Sequence, residues 1–245
     1  MKVPAHKGFA ELVGFEPFHG HETEVHGTTV LALRFDKGAL LLADRRATMG
    51  NLIMYEHAEK ILPLDNETVV AVSGAYARSI EVSRYLRHAF KYYERLNLVE
   101  ISAEGKLMEI SKALQGNLPA AADGRGLFLP IAAAYDSKAD KFGVYFFVAA
   151  GARFQSSDYA CAGSGSERIR GIFEYLIRTQ GPWAARKRDA VLQDALMMLD
   201  IAADLDSATG GFRKILPSVC ALTRDGVEML SDDQLREAVD RVLAK

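Results

Sequence analysis

A threonine that follows a glycine and opens an apolar run carries latent chemistry, and His26-Gly27-Thr28-Thr29-Val30 has that form. Glycine reaches backbone shapes that other residues avoid, so Gly27 is a natural junction. A cut after Gly27 would give Thr28 a free α-amine beside its hydroxyl. A threonine hydroxyl alone is a poor nucleophile. An α-amine, with an unperturbed pKa of roughly 7.7–8.0, can take up its proton near neutral pH. Pairing threonine with its own N-terminal amine is one of the known ways to activate the hydroxyl. In isolation Gly-Thr-Thr reads as a loop running into a strand, so the residues downstream decide.

Asp44 closes a second apolar run, Arg45 and Arg46 follow it, and Lys60 begins a third. Neighbouring strands can bring that carboxylate and ammonium to the start of the first strand. A lysine there lowers the pKa of a nearby hydroxyl or amine by charge proximity, while the aspartate holds the lysine in place. On spacing alone the same pair reads as a surface salt bridge worth about 0–1 kcal/mol. Gly74 sits where a strand passes into a helix. Its N–H can face a developing oxyanion, helped by the helix N-terminus, or it is a turn that needs a small residue. Gly163-Ser164-Gly165-Ser166 is also a strand-to-helix turn, but it lacks the lysine and spacing of a phosphate loop, which excludes a nucleotide site. The six histidines show no metal-binding spacing, so no metal or other cofactor is expected.

The elements that position these residues follow from periodicity. Thr29 to Phe35 and Ala39 to Asp44 form a hairpin across Asp36-Lys37-Gly38, too apolar for a sheet with one solvated face. Lys60 to Leu64 and Thr68 to Ser73 read as further strands. From Ala75 to Leu98 apolar residues recur at spacings of three and four, which is helical. A second helix spans 102–117 with Ser102 as N-cap, and Pro119 ends it or starts its final turn. Strands return at 130–135, 142–148 and 159–162, helices at 167–179 and 184–204. Asp206 to Gly211 is a loop, 218–223 a strand, Asp225-Gly226 a hairpin turn, and Ser231-Asp232 caps a last helix to Leu243. Strands and helices alternate in blocks, which favours antiparallel sheets covered by helix pairs over a doubly wound parallel sheet. Residues 1–27 show no period and read as a leader; residues 28–245 suit one domain with a sizeable core.

The chain is 49% hydrophobic and 25% charged with a net charge of −2. That argues against a nucleic-acid partner or an anionic membrane surface. No apolar run is long enough to span a bilayer, and the N-terminus lacks the apolar core of a signal peptide. Cys161 and Cys220 lie in apolar runs and read as buried, reduced thiols of a cytoplasmic protein.

Gly27-Thr28-Thr29-Val30, Asp44-Arg45-Arg46-Ala47-Thr48 with Gly50-Asn51, Lys60, Ser73-Gly74, Gly163-Ser164-Gly165-Ser166 and Asp206-Ser207-Ala208-Thr209-Gly210-Gly211 occur in order. Together they resemble a β subunit of the 20S-type proteasome core particle, in its bacterial, actinobacterial style. The resemblance covers residues 28–245. It implies an α+β fold, the four-layer αββα sandwich of N-terminal-nucleophile hydrolases. It implies that Thr28 is the nucleophile with its freed amine as base, that Asp44 and Lys60 activate it, and that Ser164, Asp206 and Thr209 support the amine. It implies Gly74 as oxyanion donor, Thr48 as partner of the substrate backbone, and a specificity pocket at Ala47, Ala58, Val72 and Tyr76. It further implies an autocatalytically removed propeptide cut between Gly27 and Thr28. The implied partners are other copies in heptameric β rings, proteasome α subunits, a ring-shaped ATPase unfoldase and protein substrates.

Two positions depart from the family pattern. Thr209 stands where serine is usual and keeps the hydroxyl; Tyr76 stands where a small or aliphatic residue is usual and bears on pocket depth. HslV-like ATP-dependent peptidases share the Gly-Thr-Thr start but carry Gly-Gln after the aspartate. A small-molecule N-terminal-nucleophile amidase would lack the Asp-Arg-Arg and Ser-Gly-Ser blocks. A purely structural ring subunit would have lost Thr28, Asp44 or Lys60, and all three are present.

Overall fold

The computed structural model describes residues 27–50, 52–122, 126–156 and 158–244. The leader assigned to residues 1–27 lies outside them except for Gly27. Two five-stranded antiparallel sheets form the frame. The first has the order β10-β1-β2-β11-β12, built from β10 (Tyr159–Gly163), β1 (Thr29–Phe35), β2 (Gly38–Ala43), β11 (Ser218–Thr223) and β12 (Gly226–Met229). The second has the order β5-β6-β7-β8-β9, built from β5 (Ile61–Pro63), β6 (Thr68–Gly74), β7 (Phe128–Asp136), β8 (Lys141–Phe147) and β9 (Arg153–Ser156). A separate hairpin joins β3 (Ala47–Met49) to β4 (Leu52–Tyr55).

The run of apolar residues in β1 is explained by burial of both its faces. Leu31, Leu33 and Phe35 enter a cluster with Ile169 and Phe173 of α3 (Ser166–Gln180), Leu196 and Leu199 of α4 (Arg188–Leu205), and Leu235 and Val239 of α5 (Asp232–Leu243). Val30 and Ala32, on the opposite face, pack with Leu41, Ala71, Ile131 and Val144 between the sheets. A third cluster sets Val70 and Val72 of β6 against Leu86 and Phe90 of α1 (Tyr76–Asn97) and Leu107, Ile110 and Leu114 of α2 (Ala103–Ala122). β1 and β6 thus alternate between two apolar environments rather than between core and water.

Two caps read from sequence are present: Ser102 Oγ accepts from Gly105 N at 3.2 Å, and Ser231 forms a reciprocal capping box with Gln234. Helix α2 runs past the expected end at 117 and through Pro119. Pro119 thus starts the final turn of the helix, one of the two outcomes the sequence allows. The fourth helix starts at Arg188 instead of 184, after a 3-10 turn at Trp183–Ala185. The β3–β4 hairpin and β9 escape a period-two reading. Leu52, Ile53, Met54 and Tyr55 are all exposed, so no face of β4 is buried to impose alternation.

Candidate active site

Thr28 precedes β1, and its side chain is buried at the edge of the first sheet. Its position is fixed from both sides. Gly163, at the end of β10, opposes Thr29, and a Cβ on it would stand 1.9 Å from the Thr28 carbonyl oxygen. Its φ of +98° is also one that side-chain-bearing residues rarely adopt. Gly163→Ala is therefore expected to push Thr28 out of place and lower the melting temperature by on the order of 5 °C, readable by differential scanning calorimetry. Gly27 is equally confined: a Cβ there would lie 2.2 Å from Thr48 Oγ1 and 2.5 Å from Ala208 Cβ. Thr48 and Ala208 therefore border the Gly27–Thr28 peptide, and Ala208 forms a wall there without any signature in the sequence.

The structure brings Asp44 and Lys60 together at Thr28. Lys60 Nζ donates to Asp44 Oδ1 at 2.8 Å, both side chains being essentially excluded from water. The alternative of a surface salt bridge is thereby excluded. A lysine ammonium has three donors. The second goes to the Arg46 carbonyl at 2.6 Å and the third reaches the Gly27 carbonyl oxygen at 3.5 Å. The Thr28 hydroxyl donates to the same Gly27 oxygen. Burial pushes the Lys60 ammonium below its ordinary range; Asp44 opposes that shift and Arg46 reinforces it.

Asp44 accepts four hydrogen bonds. Besides Lys60, its Oδ1 takes Thr29 N at 2.8 Å, while Oδ2 takes Arg46 N and Gly210 N, each at 2.9 Å. The carboxylate thus links the start of β1, the end of β2, the entry to β3 and the 206–211 loop. Arg46 adds a second tie: its guanidinium donates to the carbonyls of Ser207 and Thr209 and pairs with Glu56 at 3.2 Å. The Asp-Arg-Arg block signalled Arg46 in the sequence, but its carbonyl contact with Lys60 has no sequence signature.

Ser164, Asp206 and Thr209 also meet. Asp206 Oδ2 accepts from Ser164 Oγ at 2.6 Å and from Thr209 Oγ1 at 2.5 Å. Because Thr209 spends its proton on Asp206, the 2.6 Å contact between the Thr29 and Thr209 hydroxyls has Thr29 as donor. The chain Thr29–Thr209–Asp206–Ser164 runs along one side of Thr28, and Ser164 Oγ lies 3.4 Å from the Thr28 carbonyl oxygen. Thr29 was not singled out in the sequence, because a threonine inside a strand normally signals β-propensity. Gly165 leaves room for this chain, since a Cβ there would meet Thr29 Oγ1 at 2.2 Å.

Gly74 closes β6 with φ +96°, and a Cβ would strike the Leu127 carbonyl at 2.4 Å. Helix α1 begins two residues later. Ala47, Ala58 and Val72 are buried, and Tyr76 extends from the first turn of α1 so that its hydroxyl accepts from Glu59 N at 3.2 Å. The two cysteines are unsuited to attack: burial pushes Cys161 up to about 11 and Cys220 up to about 12, so both stay neutral thiols near pH 7. Among the described residues no group of three or more His, Cys, Asp or Glu side chains could hold a metal, and no helix is long and apolar enough to cross a membrane.

Comparison with known proteins identifies a family. The family described as proteasome subunit matches residues 24–213. The proteasome subunit beta of Acidothermus cellulolyticus is 34% identical over 238 residues, covering 93% of this chain and 79% of that protein. The proteasome subunit beta of Streptomyces griseus is 31% identical over 232 residues, covering 94% and 80%. Proteasome subunit beta 1 of Streptomyces avermitilis is 34% identical over 226 residues, covering 88% and 78%.

Proposed function

From a chain that belongs to the proteasome subunit family, we propose a β-type threonine endopeptidase subunit that cuts unfolded proteins into peptides after Thr28 has been freed. The observation that carries this reading is the buried Lys60–Asp44 pair set against the Gly27–Thr28 peptide, with the Thr28 hydroxyl on the Gly27 carbonyl oxygen. The three apolar clusters are accounted for by the four-layer αββα sandwich of N-terminal-nucleophile hydrolases.

Release of residues 1–27 begins with attack of Thr28 Oγ on the Gly27 carbonyl carbon. The C–N bond breaks as the C–O bond forms, the hydroxyl proton passes to the departing nitrogen, and the chain is held as an ester. Water hydrolyses the ester and leaves Thr28 with a free amine. Peptide substrates then follow the same course, with that amine as the base that accepts the Oγ proton. Lys60 holds positive charge beside the nucleophile and Asp44 holds Lys60. Ser164, Asp206 and Thr209 fix the hydrogen bonds around the amine, Gly74 N–H stabilises the oxyanion, and Thr48 pairs with the substrate backbone. The relatives named proteasome subunit beta support assembly in heptameric β rings between α rings, with a ring-shaped ATPase supplying unfolded substrate. A cytoplasmic location accords with that partnership.

Ala47, Ala58, Val72 and Tyr76 line the pocket for the residue before the scissile bond. They offer no charge, so an acidic or basic side chain would lose water without gaining a partner. Tyr76, held by its hydroxyl beside Ala58, shortens the pocket toward small aliphatic residues. A fluorogenic peptide panel on the processed protein is expected to show fastest cleavage after small apolar residues. Tyr76→Ala is expected to raise cleavage after Phe or Tyr at least about tenfold, since burying an added ring is worth more than 1.4 kcal/mol. Fastest cleavage after Arg or Glu would refute this reading.

A further inference from the structure

At the end of the sandwich remote from Thr28, the β1–β2, β7–β8 and β11–β12 turns surround a cavity of about 1020 Å³. Strand β1 separates the two sites by roughly 20 Å at 3.3 Å per residue. Arg34 lines the cavity. Val30 and Ala32 face the layer between the sheets, and the two-residue period puts Arg34 next on that face, at its mouth. Its Nε is shut off from solvent and has no hydrogen-bond partner, and among the described residues its guanidinium forms no ion pair. A half-buried arginine left this way is costly, since a shielded donor without an acceptor loses its hydration without return.

The charges around it sort by whether they are already committed. Lys187 pairs with Asp36, Arg224 with Asp140, and Arg188 with Glu228. Lys37 and Lys141, both exposed on the rim, form no ion pair among the described residues. With Arg34 they make three uncommitted cations, against Asp189 and Asp225 as uncommitted carboxylates. A single carboxylate would be saturated by the arginine fork alone. A group with three acceptor oxygens per centre and more than one charge can meet the fork and the two ammonium groups together. Phe142 supplies an apolar wall beside them.

We propose that this cavity is a binding site for a small multivalent phosphate-bearing anion, seated on Arg34 and flanked by Lys37 and Lys141. The site is independent of the peptidase reading, because it shares no residue with the Thr28 cluster.

Isothermal titration of the full-length chain with inorganic tripolyphosphate at low ionic strength tests it. One saturable site per chain is expected, and citrate is expected to bind at least tenfold more weakly. Arg34→Met and Arg34→Lys are each expected to weaken tripolyphosphate binding tenfold or more, the second because a point charge does not replace the fork. Lys37→Gln and Lys141→Gln, at exposed positions where folding is not at stake, are each expected to weaken binding several-fold and to flatten its salt dependence. Thr28→Ala should leave the affinity unchanged. Absence of saturable binding, or binding that none of the four cavity variants weakens, would overturn the site. Equal affinity for citrate would overturn the phosphate assignment.

Discussion

Thr28→Ala is expected to yield a chain of full-length mass that hydrolyses no peptide, with activity down on the order of 10³-fold or more. Among the described residues the only side-chain oxygen lying on the Gly27 carbonyl oxygen is the Thr28 hydroxyl. On the proposed reading, removing it takes away the attacking atom for both release of residues 1–27 and cleavage of substrate. The methyl group of alanine fits the space that the threonine Cβ occupied, so the fold should hold and the melting temperature should change little. Intact-mass spectrometry and a fluorogenic peptide assay on the same sample separate the two effects. Thr28→Ser keeps the hydroxyl and should retain part of both. A Thr28→Ala chain that still loses residues 1–27 in purified form, with no added protease, would refute self-cleavage.

Lys60→Ala carries the second large effect, and it acts on stability as well as turnover. It leaves the Asp44 carboxylate buried with three backbone N–H donors but no counter-charge. Breaking one side of a buried pair costs roughly 3–5 kcal/mol. For a domain of this size that lowers the melting temperature by about 6–20 °C. Peptidase activity should fall by about 10²–10³-fold or more, the scale for loss of a preorganised charged donor. Lys60→Arg should do nearly as badly. Its planar fork cannot reproduce three donors aimed at Asp44, the Arg46 carbonyl and the Gly27 carbonyl from one nitrogen. Near-normal turnover by either variant would remove Lys60 from the reaction, whatever the change in melting temperature.

Much of this arrangement was legible in the amino-acid sequence because it rests on local rules. β1 and β2 were readable from their apolar runs, and Ser102 and Ser231 from their place ahead of helical periods. Thr28, Asp44 and Lys60 stand at strand ends, where a hairpin and its neighbour bring distant residues to one edge. What escaped depends on three-dimensional closure. The β3–β4 hairpin buries no face of β4, so it leaves no alternation to find. The Arg46 carbonyl serves Lys60 through the backbone, which any residue type supplies. Thr29 looks like an ordinary strand residue until Thr209 is folded onto it from 180 positions away. Burial of the Lys60–Asp44 pair, which separates it from a surface salt bridge, is likewise a property of the layers above it.

The dependence of Asp44 on the 206–211 loop also has a consequence for the order of events during synthesis. Thr28, Asp44 and Lys60 leave the ribosome early, but Gly210 N–H, the Asp206 carboxylate and the Thr209 hydroxyl are made only after four-fifths of the chain. The Ser218–Thr223 strand that flanks β2 emerges later still. Until those segments arrive, Asp44 lacks one of its donors and β2 one of its neighbours. A nascent chain therefore holds Thr28 in an unfinished setting, and the completed arrangement waits until the 206–223 segment has been translated.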